Sequence, residues 1–175
     1  MHKNLPKQYY FIDKFDKKTL KKQSSKTGII YRNYVKNINT PEILKIKKFC
    51  DNNKLKFFLS NNFRLALKLN LNGTYLPSFN KSYYHLNYDY KKNFIVIGSA
   101  HNLKEIRIKE KQKVDAIFLS SIFKKNSNYL GLYKFLNLVN LSKKNFIALG
   151  GISKKNKKVI NMIKLWGFAG ISYFK

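Results

Sequence analysis

Cysteine is nearly absent from this 175-residue chain: Cys50 is the only one. An intramolecular disulfide is therefore excluded, and the composition fits a reducing compartment. Its setting, Leu44-Lys45-Ile46-Lys47-Lys48-Phe49-Cys50, reads as the apolar face of a helix, and with no histidine nearby in the chain a catalytic thiol is disfavoured. Long apolar runs are missing too. Nothing approaches the roughly 18 residues that a membrane-spanning helix requires. The start, Met1-His2-Lys3-Asn4-Leu5-Pro6, lacks the apolar core and small-residue cleavage site of a secretory leader, which points to the cytoplasm. Arginine is scarce as well. Of 36 basic residues only Arg32, Arg64 and Arg107 are arginine, and the rest are lysine.

That scarcity qualifies the formal net charge of +28. Basic chains attract phosphate backbones through counterion release. Reading of base edges, however, favours the bidentate fork of arginine. The lysines are spread along the whole chain and read as solvated faces, so specific nucleic-acid binding is not expected, while non-specific binding at low salt is. At this length a single domain is expected, and 44% hydrophobic residues are ordinary for a packed core.

Short, nearly continuous apolar runs alternate with amphipathic segments. Strands are predicted at 9–12, 28–32, 56–60, 73–76, 94–98, 116–120, 146–150 and 169–173, each reading as a strand buried on both faces of a parallel sheet. Helices are predicted from Thr40-Pro41-Glu42 onward, over 61–69, after an Asn102 cap and over 154–166 after a Ser153 cap, with weak signals at 17–24 and 82–90. The pattern is α/β: a single eight-stranded (β/α)₈ barrel of the TIM type, shortened below the ~200 residues usual for it, with a helix missing after the eighth strand. A flank opened by that loss would be covered by a neighbour. An open doubly wound sheet would give the same pattern. In both architectures ligands bind beyond the carboxyl ends of the strands. Those ends carry Arg32, Ser60-Asn61, Gly98-Ser99, Ser120-Ser121, Gly150-Gly151 and Gly170. A strand closing in Gly-Gly ahead of a helix presents bare amides, and with Gly170 and Ile171 these form a phosphate cradle; a tight turn needing positive φ is the alternative.

In this order the blocks resemble the thiamine-phosphate synthase/TenI superfamily over about Tyr9 to Phe174. Tyr9-Tyr10-Phe11-Ile12-Asp13 is similar to its opening strand, Ile29-Ile30-Tyr31-Arg32 to its second and Ser60-Asn61-Asn62-Phe63-Arg64-Leu65-Ala66 to its third block. Asn72-Gly73-Thr74-Tyr75-Leu76-Pro77-Ser78 looks like its fourth strand, the Leu-Pro-Ser ending leaning towards the TenI branch. Ile97-Gly98-Ser99-Ala100-His101, Val114-Asp115-Ala116-Ile117, Ala148-Leu149-Gly150-Gly151-Ile152 and Gly167-Phe168-Ala169-Gly170-Ile171 follow.

The resemblance implies an enzyme that joins thiazole phosphate to a pyrimidine pyrophosphate, giving thiamine phosphate. It implies phosphate contacts from Gly150, Gly151, Gly170 and Ile171, and Arg32, Asn61 and Ser99 at the reaction centre. Ser60, Asn80, Ser121 and Ser127 are further implied ligand contacts. Mg²⁺ is the implied cofactor, yet its two aspartate positions hold Asn61 and Asn80, and a second cation position holds Tyr34 with Lys36 near it. The TenI branch is a thiazole tautomerase, and its histidine position falls at Ser121. His101 reads as a loop organiser, His85 as solvated on a helix face, and His2 as part of the terminus. A non-catalytic barrel binding a thiazole or thiamine phosphate, and a polyanion binder, are the competing readings; the oligomeric state stays open. Gly150→Asp is expected to abolish phosphate binding with the fold retained.

Overall fold

Apolar strands separated by capped helices have two compact solutions when every strand is parallel, an open doubly wound sheet or closure of the sheet upon itself. In the computed structural model, which describes residues 3–34 and 39–174, the strands form a closed barrel in sequence order. His2 and Lys36 lie outside the described residues. The strands are β1 (Gln8–Ile12), β2 (Thr27–Tyr31), β3 (Lys56–Ser60), β4 (Gly73–Leu76), β5 (Ile95–Ala100), β6 (Ala116–Ser120), β7 (Asn145–Leu149) and β8 (Gly167–Gly170). β8 pairs in parallel with β1, with Tyr9 opposite Ala169, which excludes the open sheet. The helices are α1 (Lys17–Lys21), α2 (Thr40–Asn52), α3 (Phe63–Lys68), α4 (Leu103–Lys111), α5 (Gly131–Asn140) and α6 (Lys157–Met162).

Side chains alternate across each strand, and the two faces build two cores. The inner one contains Tyr9, Phe11, Ile30, Phe58, Tyr75, Ile97, Phe118 and Ile147. Its rings meet edge to face, Tyr9 with Phe118 at 5.1 Å and Phe11 with Tyr75 at 5.4 Å between centroids. Room for them comes from Gly28, where a Cβ would fall 2.8 Å from the Tyr9 ring. The outer core packs helices on strands and includes Cys50, fully buried on α2, whose thiol burial pushes up to about 12. That excludes a reactive thiolate at neutral pH.

Asparagines start α2, α3 and α4. Asn39, Asn62 and Asn102 accept the backbone N–H of Glu42, Leu65 and Glu105. Residue 40 is thus the first helical residue, one after the cap. Ser153 is not a cap: its own N–H donates to Asn156 Oδ1, and the predicted long helix shrinks to α6. Between β4 and β5 there is only a 3₁₀ turn, Tyr84–Asn87. His85 on that turn is buried, not solvated: it packs against Phe63, and its Nε2 lies 2.8 Å from the Gln112 carbonyl oxygen. After β8 the described residues make a turn instead of a helix. Tyr173 and Phe174 fold back over Phe168, and Phe174 reaches Tyr10, so the chain covers this flank with its own aromatic rings.

Candidate functional site at the carboxyl ends of the strands

The inward-facing alternation continues to the barrel mouth and there turns polar. Arg32 lies two residues beyond Ile30, Ser60 two beyond Phe58, Ser99 two beyond Ile97 and Ile171 two beyond Ala169, so each extends an inward row.

Three groups of residues result. The first lies over β7 and β8. Gly150 and Gly151 take φ of +101° and +76°, a region favouring glycine. A Cβ on Gly150 would fall 2.3 Å from Ser121 Oγ, and one on Gly151 would fall 2.6 Å from the Lys124 nitrogen. The Gly-Gly pair therefore lets the loop after β6 close over it, with Phe123 N–H bonded to the Gly150 carbonyl at 3.0 Å. The turn reading holds, with both glycines at positive φ, and the amides of Gly150, Gly151 and Ile171 donate no hydrogen bond among the described residues. Such amides at a strand-to-helix turn suit an anion. Gly170 has space: a Cβ there would meet only Tyr173 Cβ at 3.6 Å and the Ile152 carbonyl at 3.7 Å. The expectation for Gly150→Asp is corrected accordingly, since positive φ and the contact with Ser121 make that change disrupt the turn itself.

Ser121 is buried, and its hydroxyl donates to the Lys124 carbonyl at 2.8 Å, so it shapes the loop. Ser127 is exposed in the same loop.

The second group surrounds Arg32. A cavity of about 320 Å³ is lined by Phe11, Asp13, Lys14, Asp16, Arg32 and Ile171 among others. That is the lower end of the range for small-molecule sites. The Arg32 guanidinium lies 5.0 Å over the Phe11 ring and makes no ion pair among the described residues. An aromatic face positions the cation without neutralising it, so it stays available to an anion. Asp16 caps α1, and its bond to the Thr19 hydroxyl holds its carboxyl below the usual range.

Over β3 and β4 lies the third group. Asn61, at φ +56°, accepts a 2.7 Å hydrogen bond from Asn80 Nδ2. Ser60 Oγ donates to the Tyr34 hydroxyl at 3.2 Å, and Tyr34 meets Phe79 edge to face at 5.5 Å. Both rings are more than half exposed. Ser99 is buried beneath, accepting from the Tyr75 hydroxyl at 2.8 Å. Burial raises the Tyr75 and Tyr34 phenols, which Arg32 partly offsets, so both stay neutral donors.

Magnesium does not fit this donor set. It calls for hard, usually carboxylate, oxygens in octahedral array. The described residues hold no group of three or more acidic, histidine or cysteine side chains suited to a metal, and Asn61 and Asn80 bring neutral amides already bonded to each other.

Three side chains escaped the sequence reading. Phe79 left no periodic signal, since it sits in a loop. Lys109 and Gln112 were hidden by their charge and polarity, although Lys109 follows Ile106 by three residues on the buried stripe of α4. Both are fully buried. Lys109 Nζ donates to the carbonyls of Pro77 and Asn80 and to Gln112 Oε1, each at 2.8 Å. Desolvation lowers this ammonium to about 8, so it is still charged at neutral pH. His101 organises its loop as expected: its N–H donates to Glu105 and its Nδ1 lies 2.9 Å from the Ser120 carbonyl oxygen.

With this geometry in place, the family can be assigned. A family model described as thiamine monophosphate synthase matches residues 22–174. The chain belongs to the thiamine monophosphate synthase family. A protein of Aquifex aeolicus (strain VF5), provisionally named thiamine-phosphate synthase 2, is 34% identical over 127 residues, which are 69% of this chain and 67% of that protein. The thiamine-phosphate synthase of Methanococcus vannielii is 27% identical over 146 residues, 79% of this chain and 70% of that protein. Among solved structures, a thiamine phosphate pyrophosphorylase from Pyrococcus furiosus superposes with a TM-score of 0.78 at 22% identity, covering 98% of this chain and 87% of that one. FabK from Thermotoga maritima reaches 0.73 at 9% identity, covering 98% of this chain and 60% of that one. The barrel alone therefore says nothing of function, and it is the family match that ties this chain to thiamine biosynthesis. No helix among the described residues is long and apolar enough to cross a membrane.

Proposed function

We propose that this chain binds thiazole phosphate at the β7–β8 side of its mouth and joins it to a pyrimidine pyrophosphate held on the Arg32 side, giving thiamine phosphate. The observation that carries the reading is the set of undonated amides at Gly150, Gly151 and Ile171. Ile171 also lines the cavity that contains Arg32. One small volume is thus flanked by a neutral anion cradle and by a guanidinium. The cradle orients one reactant, and the guanidinium stabilises charge that develops on the departing pyrophosphate. Ser60 and Ser99, linked to Tyr34 and Tyr75, hold the phenols on the β3–β4 side of the mouth.

The asparagine pair favours a second reading, a barrel that binds thiazole or thiamine phosphate without turnover. A tautomerase is less well supported: Ser121, at the position implied for its histidine, is buried and bonded to its own loop, and a serine hydroxyl engaged in this way is neither the acid nor the base that the reaction calls for.

Titration calorimetry with thiamine phosphate tests the shared part. One-site saturable binding is expected, weakened about tenfold or more in Gly170→Asp, where a Cβ makes only ordinary contacts with Tyr173 and Ile152 and a carboxylate is brought next to the cradle. Gly170→Ala, of the same backbone and no charge, is expected to bind nearly as the parent does. Unchanged affinity in Gly170→Asp removes the cradle. Turnover of thiazole phosphate with the pyrimidine pyrophosphate then separates the synthase from the silent binder.

A further inference from the structure

The β3–β4 side of the mouth is built around a buried cation rather than a bound one. Lys109 reaches it from α4 through a gap in β5: a Cβ on Gly98 would fall 2.6 Å from Lys109 Cδ. With Gln112 it fastens the loop after β4 from behind. Lys109 takes the carbonyls of Pro77 and Asn80, while Gln112 Nε2 donates to the carbonyls of Asn80 at 3.1 Å and Ser82 at 2.7 Å. The loop, although it carries the exposed Phe79, is therefore held in one place.

Every oxygen of Asn80 is already accepting. Its carbonyl is bonded to Lys109 and Gln112, and its Oδ1 accepts from the Ser82 N–H at 3.0 Å. Its Nδ2 occupies Asn61 Oδ1. A hard dication would find no free carboxylate, two engaged amides and a like charge behind the Asn80 carbonyl, where repulsion is little screened by water.

We propose that this half of the site works without a divalent cation, with Lys109 as the positioning residue that locks Asn80 against Asn61 and excludes the metal. The inference rests on the synthase-type reading above for what binds there. On this side a ligand would meet the neutral surface of Asn61, Asn80, Tyr34 and Phe79, with Arg32 in the neighbouring cavity that Asp13, Lys14 and Asp16 also line.

Mn²⁺, followed by the loss of its free electron paramagnetic resonance signal, tests this on the full chain. The parent is expected to show no saturable Mn²⁺ site. Asn61→Asp/Asn80→Asp is expected to bind Mn²⁺ roughly tenfold or more tightly once Lys109→Gln is added, because glutamine keeps N–H donors and drops the charge. If the triple variant fails to fold by circular dichroism, Asn80→Asp with and without Lys109→Gln makes the same comparison. Stoichiometric Mn²⁺ binding by the parent, lost in Asn61→Ala, overturns the proposal. So does equal Mn²⁺ affinity with and without Lys109→Gln, or no binding in any folded aspartate variant. Thiamine phosphate binding, measured without metal, reports on the β7–β8 cradle separately, so its loss would sink the synthase-type reading and leave the Mn²⁺ result standing.

Discussion

A lysine with no exposed surface has to be held by acceptors, and three of them surround Lys109 Nζ at 2.8 Å. Its titration gives a signature with a definite sign. In the unfolded chain the ammonium keeps its proton to about 10.5, and in the folded one to about 8, because burial outweighs the attraction of Glu105. Between those values the unfolded state binds more protons, so this group's contribution to stability rises with pH from about 8 to 10.5. Other groups titrate in that window, and the difference between parent and Lys109→Met isolates the lysine. Urea unfolding at pH 7 and at pH 9.5 is expected to show a larger gain, or smaller loss, in the parent than in Lys109→Met. The same pH response in both proteins would mean that Lys109 is not desolvated as described. His85, two contacts away through Gln112, is held neutral by burial and does not confuse the comparison above pH 7.

Helix ends show how a chain with only eight glycines closes its elements. α2, α3 and α4 each end with a left-handed residue that is not glycine: Lys54 at φ +55°, Asn70 at +50° and Lys113 at +53°. The next residue, Leu55, Leu71 or Val114, sends its N–H back to Cys50, Ala66 or Lys109 and buries its side chain. That is the Schellman arrangement, in which glycine normally takes the left-handed position. Relief of the Cβ clash, less the entropy glycine adds to the unfolded chain, is worth about 0.5–1 kcal/mol. Lys54→Gly and Lys113→Gly are each expected to raise the melting temperature by about 1–4 °C without touching the site; a fall in either would show the lysine side chain holding something else. Elements of this kind were legible where pattern and chemistry agreed: β3, β4 and β6 lie where apolar runs placed them, and Asn102 caps α4 as predicted. The helix predicted over 154–166 overextends because apolar spacing continues through Leu165-Trp166, after α6 has ended at Met162 and just ahead of β8. α5, for which the sequence offers no cap, opens on a glycine at positive φ, Gly131, instead of behind a side-chain cap. In the site, strand ends were readable because an inward row must end at the mouth. The contacts that decide its chemistry, Asn61 with Asn80 and Lys109 with the loop after β4, join residues 19 to 32 positions apart and left no local trace.

At the scale of the whole molecule, the charge is the unusual property. Eight acidic residues face 36 basic ones, and only three ion pairs form among the described residues. The excess lysines therefore repel one another across the surface, which opposes the compact state. Salt shortens the reach of that repulsion from about 30 Å at 0.01 M to about 8 Å at 0.15 M. Folding stability is accordingly expected to rise with sodium chloride through this range, the reverse of what a protein held by surface ion pairs would show. The same lysines are expected to bind duplex DNA loosely at low salt, with an affinity that falls steeply and log-linearly as counterion release weakens. In the proposed site thiamine phosphate would be held by backbone amides and one partly buried guanidinium, so its binding is expected to weaken far less over the same change. Parallel titrations at 0.05 M and 0.2 M salt distinguish the two modes, and competition between them closes the argument. If excess thiamine phosphate leaves DNA binding untouched, the charge and the barrel mouth are separate properties of one molecule. If it displaces DNA stoichiometrically, the mouth is a polyanion site as well, and the selectivity of Gly150, Gly151 and Ile171 for a thiazole phosphate falls.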